Sequence, residues 1–276
     1  MLSKDHKISI QGIEGSFHHA VALAYFNDEI VVNCCSSFDQ LVKSIDNKDK
    51  TKGVMAIENS IAGSILPNYA LIDKYDLKIT GEYYHQIQHS LLALPNQRMD
   101  EICEVYSHPM ALLQCKDFFS NYPNIKLVES NDTAQSAKDI FENKINKRAA
   151  IASKEAAYLY NLNILKDSIQ TIKNNVTRFV IIQKDKQLEN NSYNKVSLKF
   201  TLDHKRGSLA AVLNVMSDCK LNLTKIQSLP VIKTPGKYSF FVDLTFDSQS
   251  FFEKAYSILK IMTLELKILG KYLSGK

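Results

Sequence analysis

Through its first 183 residues the chain alternates short apolar runs with stretches whose apolar residues recur at helical spacing. KISI near the N-terminus, Val31 with Val32, and residues 53–57, 90–94, 105–107 and 179–183 read as strands. Residues 17–26, 38–45, 66–75, 109–119, 133–142 and 155–160 read as helices. The period switches repeatedly between about two and about 3.6 residues, which predicts an α/β domain with a largely parallel sheet.

The composition then shifts. Residues 184–194, KDKQLENNSYN, carry no apolar period and read as a linker. Beyond them Val196, Leu198, Phe200 and Leu202 alternate, then Leu209, Val212, Leu213 and Met216 recur at helical spacing. A strand over 221–231 follows, then alternation from Tyr238 to Phe246, a helix around Phe252, Ala255 and Leu259, and a last strand through Leu264, Leu266 and Ile268. The order βαββαβ predicts a ferredoxin-like split βαβ unit. The boundaries drawn are 7–183, 184–194 and 195–276.

With 276 residues, 45% of them hydrophobic, the chain is long enough for one or two cored domains. The net charge of +5 is dispersed, which suits a small anionic ligand. Without a basic stripe interleaved with aromatics, nucleic acid is not expected as a partner. No apolar run approaches the roughly 18 residues of a membrane span, and no apolar signal segment follows the N-terminus. The cysteines number five, include the adjacent Cys34 and Cys35, and form no CxxC. Free thiols in a reducing cytoplasm are therefore expected.

Four segments share one design: an apolar strand, a polar or glycine turn, and a helix. They are ISIQGIEGSFHHAVALAYF, VMAIENSIAGSI, VYSHPMALLQC and KLVESNDTAQSAKDI. Gly15 and Ser16, Asn59 and Ser60, Ser107 and His108, and Asp132 and Thr133 stand at the turns, with Pro109 placed as a first-turn proline. Ligands of open α/β sheets sit at such strand ends, where helix N-termini offer unpaired N–H groups. Each segment alone reads more readily as simple helix capping; four in one chain shift the balance modestly towards a binding cleft. A fifth segment, NNVTRFVII, sets Asn175, Thr177 and Arg178 before an apolar strand. Its arginine reads either as a carboxylate fork or as a surface loop residue. His85 and His89 in HQIQH sit among extended neighbours with no third ligand evident, so no metal is expected.

These segments carry a resemblance. NNVTRF resembles the NxTRF signature of prephenate dehydratases. GIEGSF, AIENSIAGS, SHPMALLQC, NDTAQSA and RAAIASKEAAYLYNLNIL resemble that family's further motifs in the same order. GSLAAVL and NLTKIQSLP resemble two motifs of the ACT regulatory domain attached to it. The resemblance spans residues 7 to 272. It implies a two-lobed, periplasmic-binding-protein-like catalytic domain, with a second lobe over about 86–165, followed by an ACT domain. The implied reaction turns prephenate into phenylpyruvate with loss of carbon dioxide and water, without a cofactor, in phenylalanine biosynthesis.

The resemblance also implies roles. Thr177 matches the threonine assigned to the leaving hydroxyl, and Arg178 would hold a substrate carboxylate or order the loop. Glu58, Asn59, Ser107 and Gln114 complete the catalytic set. Gly15, Ser16, Ser60, His108, Thr133, Asn175 and Phe179 are the expected substrate contacts, with Phe179 also a core residue and His108 also a helix cap. His18 and His19 are expected at the solvent or cleft edge. Gly207, Ser208, Leu209, Gln227 and Ser228 match effector-binding motifs at which phenylalanine binds between paired ACT domains, so a homodimer or homotetramer is expected. The chain departs from the pattern at several points. Thr171 stands where an acidic residue is usual, His18 where a serine is usual, and Asn161 where a glycine ends a helix. In the effector motifs Arg206 replaces proline, and Gln227 and Leu229 replace a Glu and an Arg. Loss of two opposite charges together is compatible with an intact interface. Arogenate dehydratase and a non-catalytic amino-acid or anion sensor are the competing readings. A fused chorismate mutase is not expected, as no helical extension precedes Lys7.

Overall fold

The computed structural model describes residues 7–26, 30–46, 51–184, 192–231, 234 and 237–275. Most of the polar stretch read as a linker (185–191) lies outside the described residues. The chain opens with β1 (Lys7–Gln11), α1 (Phe17–Phe26), β2 (Val31–Cys35), α2 (Phe38–Asp46), β3 (Lys52–Asn59), the short β4 (Gly63–Ser64), α3 (Leu66–Lys74) and β5 (Lys78–Gln86). A second lobe follows: β6 (Ser90–Ala93), β7 (Glu104–Ser107), α4 (Pro109–Gln114), α5 (Lys116–Phe119), β8 (Lys126–Glu129), α6 (Thr133–Asn143), β9 (Arg148–Ala152), α7 (Lys154–Leu159) and β10 (Asn163–Lys166). The chain then returns to the first lobe through β11 (Val176–Gln183). It ends in β12 (Lys195–Thr201), α8 (Ser208–Asp218), β13 (Asn222–Pro230), β14 (Tyr238–Thr245), α9 (Gln249–Met262) and β15 (Glu265–Tyr272).

Two sheets result. The second lobe is built on five strands in the order β10-β6-β9-β7-β8. The other sheet runs β13-β14-β12-β15-β5-β11-β3-β1-β2, so the C-terminal βαββαβ unit extends the first lobe's sheet. The joint is one parallel pairing, Gly270 with Ile79. A side chain at 270 would bring its Cβ to 2.2 Å from the Ile79 carbonyl oxygen, so only glycine permits the approach.

The largely parallel sheet expected from strand–helix alternation is corrected here. β1 is parallel to β2 and β3, but β11 is antiparallel to both neighbours, β3 and β5. β11 is a returning strand from across the second lobe, and alternation along the sequence cannot reveal its direction. The single helix expected over 109–119 is also two. It breaks at Cys115, where the Gln114 carbonyl accepts from the Thr171 N–H at 2.9 Å instead of continuing the helix. Asn161 takes the left-handed conformation anticipated for it, with φ 48°.

Apolar faces close each layer. Ile8, Ile10, Val21, Ala22, Val54 and Ile181 pack between α1 and the first sheet. Tyr69, Ile72, Ile79, Val180 and Ile182 pack on its other face together with Phe241, Leu269 and Tyr272 of the C-terminal unit. The C-terminal unit is thus docked on the first lobe through a shared core, alongside its own core around Val196, Phe200, Leu244 and Phe252.

Candidate active site

A cleft of about 520 Å³ lies between the two lobes. Its floor is the β3–β11 pair, whose register sets Thr177 opposite Asn59, Arg178 opposite Glu58, and Phe179 opposite Ala56. The shift between the last two pairings places an extra residue, Ile57, in β3. This bulge lets Ala56 and Asn59, three positions apart, both face the cleft. On β11 no bulge is needed, because Thr177 and Phe179 alternate onto that face.

A hydrogen-bond chain of fixed polarity runs along this floor. The Asn59 side-chain oxygen accepts the backbone N–H groups of Ile61 and Ala62, each at 2.9 Å. Its nitrogen therefore points the other way, donating to Asn175 Oδ1 at 2.7 Å and Thr177 Oγ1 at 2.9 Å. Asn175, fully buried, passes the direction on by donating from Nδ2 to Gln114 Oε1 at 3.0 Å. His89 Nε2 meets the same oxygen at 3.0 Å. An oxygen can only accept, so this ring nitrogen carries the hydrogen, and His89 Nδ1 is left buried without a hydrogen-bond partner among the described residues. The consequence is chemical. Thr177 receives a hydrogen bond and keeps its own hydroxyl hydrogen to give, and the Gln114 amide hydrogens are left for the cleft.

Four further groups line the walls. His108 caps α4, its Nδ1 accepting from the Met110 N–H at 3.2 Å, and it also borders the cleft. Ser16 and Thr133 stand on opposite lobes at the starts of α1 and α6. Asp132 is the acidic side chain on the wall, and its Oδ1 is occupied by the Gln135 N–H at 2.9 Å.

Several expected site residues lie elsewhere. Arg178 and Glu58 face away from the cleft, because each alternates with a cleft residue on its strand. Arg178 is 5% exposed. It donates from Nε to Glu82 at 2.7 Å, from Nη2 to the Tyr272 hydroxyl at 2.9 Å, and from Nη1 to Asp243. Glu58 pairs with Lys225 of the C-terminal unit at 2.9 Å. Ser60 borders a separate cavity on that side and accepts the Val176 N–H. Ser107 is buried and donates to the Ile151 carbonyl at 2.7 Å. Gly15 serves lobe contact: its carbonyl accepts from Ser153, and an added Cβ would lie 3.2 Å from the Ala156 backbone. Asn175 lies beneath the cleft as a link in the chain.

Two histidines outside the expected catalytic and substrate sets line the cleft, and His18, expected at the solvent or cleft edge, is buried. His18 is buried, with Nε2 accepting the Ala56 N–H at 3.3 Å and its ring edge-on to Phe179 at 5.0 Å. Burial pushes its pKa down to about 3, so the ring is neutral. Its spacing of three and four from the buried Val21 and Ala22 was the available signal. Burial also lowers His89, against the opposing pull of its Gln114 hydrogen bond.

Among the effector-motif residues, Gly207 begins α8 with φ 83°. Ser208 and Leu209 line a small cavity of about 130 Å³ with Tyr238 and Phe240. Gln227 and Ser228 lie on β13, where Ser228 is paired with Phe240.

Comparison with known proteins bears on this architecture. The family model described as prephenate dehydratase matches residues 8–187. A prephenate dehydratase of Methanocaldococcus jannaschii is 37% identical over 257 residues, covering 91% of this chain and 90% of that one. The chloroplastic arogenate dehydratase/prephenate dehydratase 2 of Arabidopsis thaliana is 33% identical over 280 residues, covering 96% of this chain and 72% of that one. The solved prephenate dehydratase structure from Staphylococcus aureus superposes with a TM-score of 0.84 at 26% identity, covering 96% and 99% of the two chains.

Proposed function

Since the chain belongs to the prephenate dehydratase family, we propose that its interlobe cleft performs the family's decarboxylating dehydration with Thr177 as the donor to the departing hydroxyl. The enzyme is a lyase of that family. In the reaction the carbon–carboxylate bond breaks, its electron pair enters the ring, and the ring carbon–oxygen bond breaks as the hydroxyl takes up one proton, supplied in net by solvent, and leaves as water. Aromatisation supplies the driving force. The protein's task is to hold the dianion and stabilise charge growing on the leaving oxygen.

One observation carries the assignment: Asn59 donates to Thr177 Oγ1, so the threonine keeps its own hydrogen to donate to a substrate oxygen in the cleft. A threonine hydroxyl is too weak an acid to ionise beforehand, so its contribution develops as negative charge appears in the transition state. The Gln114 amide, Ser16, His108 and Thr133 offer donor positions for the carboxylates, and Phe179 packs beneath the ring. The test is prephenate turnover at neutral pH, followed as phenylpyruvate. Thr177→Ala should lower kcat at least a hundredfold; near wild-type turnover by that variant would remove the assignment.

The relative named for both arogenate and prephenate supports a second substrate reading. Arogenate carries an ammonium where prephenate carries a ketone. Asp132, the acidic group on the cleft wall, already spends one oxygen on its helix. The ratio of kcat/KM for the two substrates decides.

The C-terminal unit is proposed as an ACT regulatory domain that assembles the enzyme into a homodimer or homotetramer. Its outer strand β13 has no further neighbour among the described residues, which leaves a nine-residue edge open for pairing with a second copy. Phenylalanine is the proposed effector, through Gly207, Ser208, Leu209, Gln227 and Ser228. A monofunctional enzyme of a cytoplasmic biosynthetic route completes the proposal; among the described residues no helix is long and apolar enough to cross a membrane.

A further inference from the structure

The floor of the cleft is two-sided. Asn59 and Thr177 pair on the cleft face, and their chain neighbours Glu58 and Arg178 pair on the opposite face. Both opposite-face residues are gripped by the C-terminal unit. Lys225 of β13 binds Glu58 at 2.9 Å, and Arg178 reaches Asp243 of β14 and Tyr272 of β15.

Further hydrogen bonds brace this grip, which borders a separate cavity. Ser197 Oγ donates to Asp243 Oδ1 at 2.5 Å and lies 2.7 Å from the Tyr272 hydroxyl. Glu82, which takes the third edge of the Arg178 fork, is bound through both oxygens by Lys195 at 2.9 Å. Glu82, Arg178, Lys195, Ser197 and Asp243 are each at most 5% exposed, and Tyr272 is fully buried. Adhesion alone does not call for such a cluster, because an apolar interface of Tyr69, Val180, Phe241 and Leu269 already lies beside it. Buried charges stabilise little compared with apolar groups of equal volume. What a guanidinium held by separate acceptors supplies is a single orientation. Arg178 shares a peptide bond with Thr177, so the orientation of one constrains the other.

We propose that Asp243 and Tyr272, in the C-terminal unit, are positioning residues for the dehydration: by fixing Arg178 they fix the strand that presents Thr177 to the substrate. The inference rests on the assignment of Thr177 as donor. It makes the C-terminal unit part of the apparatus that sets turnover, and gives any movement of that unit a direct route to the cleft.

The experiment compares Asp243→Asn and Tyr272→Phe with the wild-type enzyme by steady-state kinetics with prephenate. Threonine-methyl NMR is recorded on the same proteins, with the Thr177 signal assigned by its loss in Thr177→Ser. The expected result is a kcat lowered about tenfold in Asp243→Asn and severalfold in Tyr272→Phe, with KM within about twofold. The Thr177 methyl should shift in both, and the Thr133 methyl, on the other lobe, should stay in place. An unchanged kcat or an unmoved Thr177 methyl in a folded variant overturns the proposal. Tyr272→Phe removes a single hydroxyl and is decisive alone if Asp243→Asn does not fold. Wild-type kcat in Thr177→Ala would separately overturn the threonine assignment, and the methyl shift would still report the mechanical link.

Discussion

The side-chain amide of Asn59 has its oxygen committed to two backbone N–H groups, and that commitment sets the direction of every hydrogen bond along the cleft floor. Buried neutral histidines add a pH signature at the same scale. His18 has a folded pKa of about 3 against an ordinary value near 6.5. Above about pH 6.5 folded and unfolded chains are both neutral at this ring, so it costs nothing. Below that value only the unfolded chain takes up the proton, so stability falls with decreasing pH by about 1.4 kcal/mol per unit until the folded ring titrates. His85 and His89, also lowered by burial, add with the same sign. Melting temperature is therefore expected to fall between about pH 7 and pH 5, and less steeply in His18→Gln, which keeps an acceptor for the Ala56 N–H. Equal slopes in the two proteins would show that the folded His18 binds the proton.

At the scale of elements, β3 and β11 do two tasks with one pairing, and the bulge at Ile57 is what brings Ala56 and Asn59 onto one face. The joint between β5 and β15 is as closely specified. Gly270→Ala would set a methyl against the Ile79 carbonyl. Forcing an added carbon into a closed contact costs about 1–3 kcal/mol, so the melting temperature should drop by several degrees. A variant melting like the wild type would mean that the two strands do not approach so closely in solution.

At the scale of the whole molecule, the shared core and the buried ion cluster make the C-terminal unit a wall of the catalytic domain. Burial opposes ionisation of Asp243, yet Arg178, Ser197 and Lys195 together hold its carboxyl below the usual range. Asp243 therefore stays ionised in the folded enzyme at neutral pH. The effector proposal is tested at this scale. Phenylalanine binding to the folded state alone would raise stability by about 2.7 kcal/mol at a hundred times its Kd. It is expected to raise the melting temperature and lower turnover together. Neither change on addition of phenylalanine would remove it as the effector.

The sequence by itself determined the alternation of strands and helices and the βαββαβ order of the last third, because local spacing decides which face a residue takes. Its short motifs offered Asn59, Gln114, Thr177 and Phe179 as candidates only through their resemblance to a family, alongside Arg178, Glu58 and Ser107, which lie off the cleft. Only the tertiary structure decided what lies across from each face. Thr177 and Arg178 are adjacent in one motif, yet one lines the cleft and the other is sealed into the C-terminal unit, because consecutive strand residues point to opposite sides. Nothing local distinguishes an arginine that will meet a substrate carboxylate from one that will meet Asp243, 65 positions away. The antiparallel course of β11, the bulge in β3 and the burial of His89 likewise depend on partners distant in the chain.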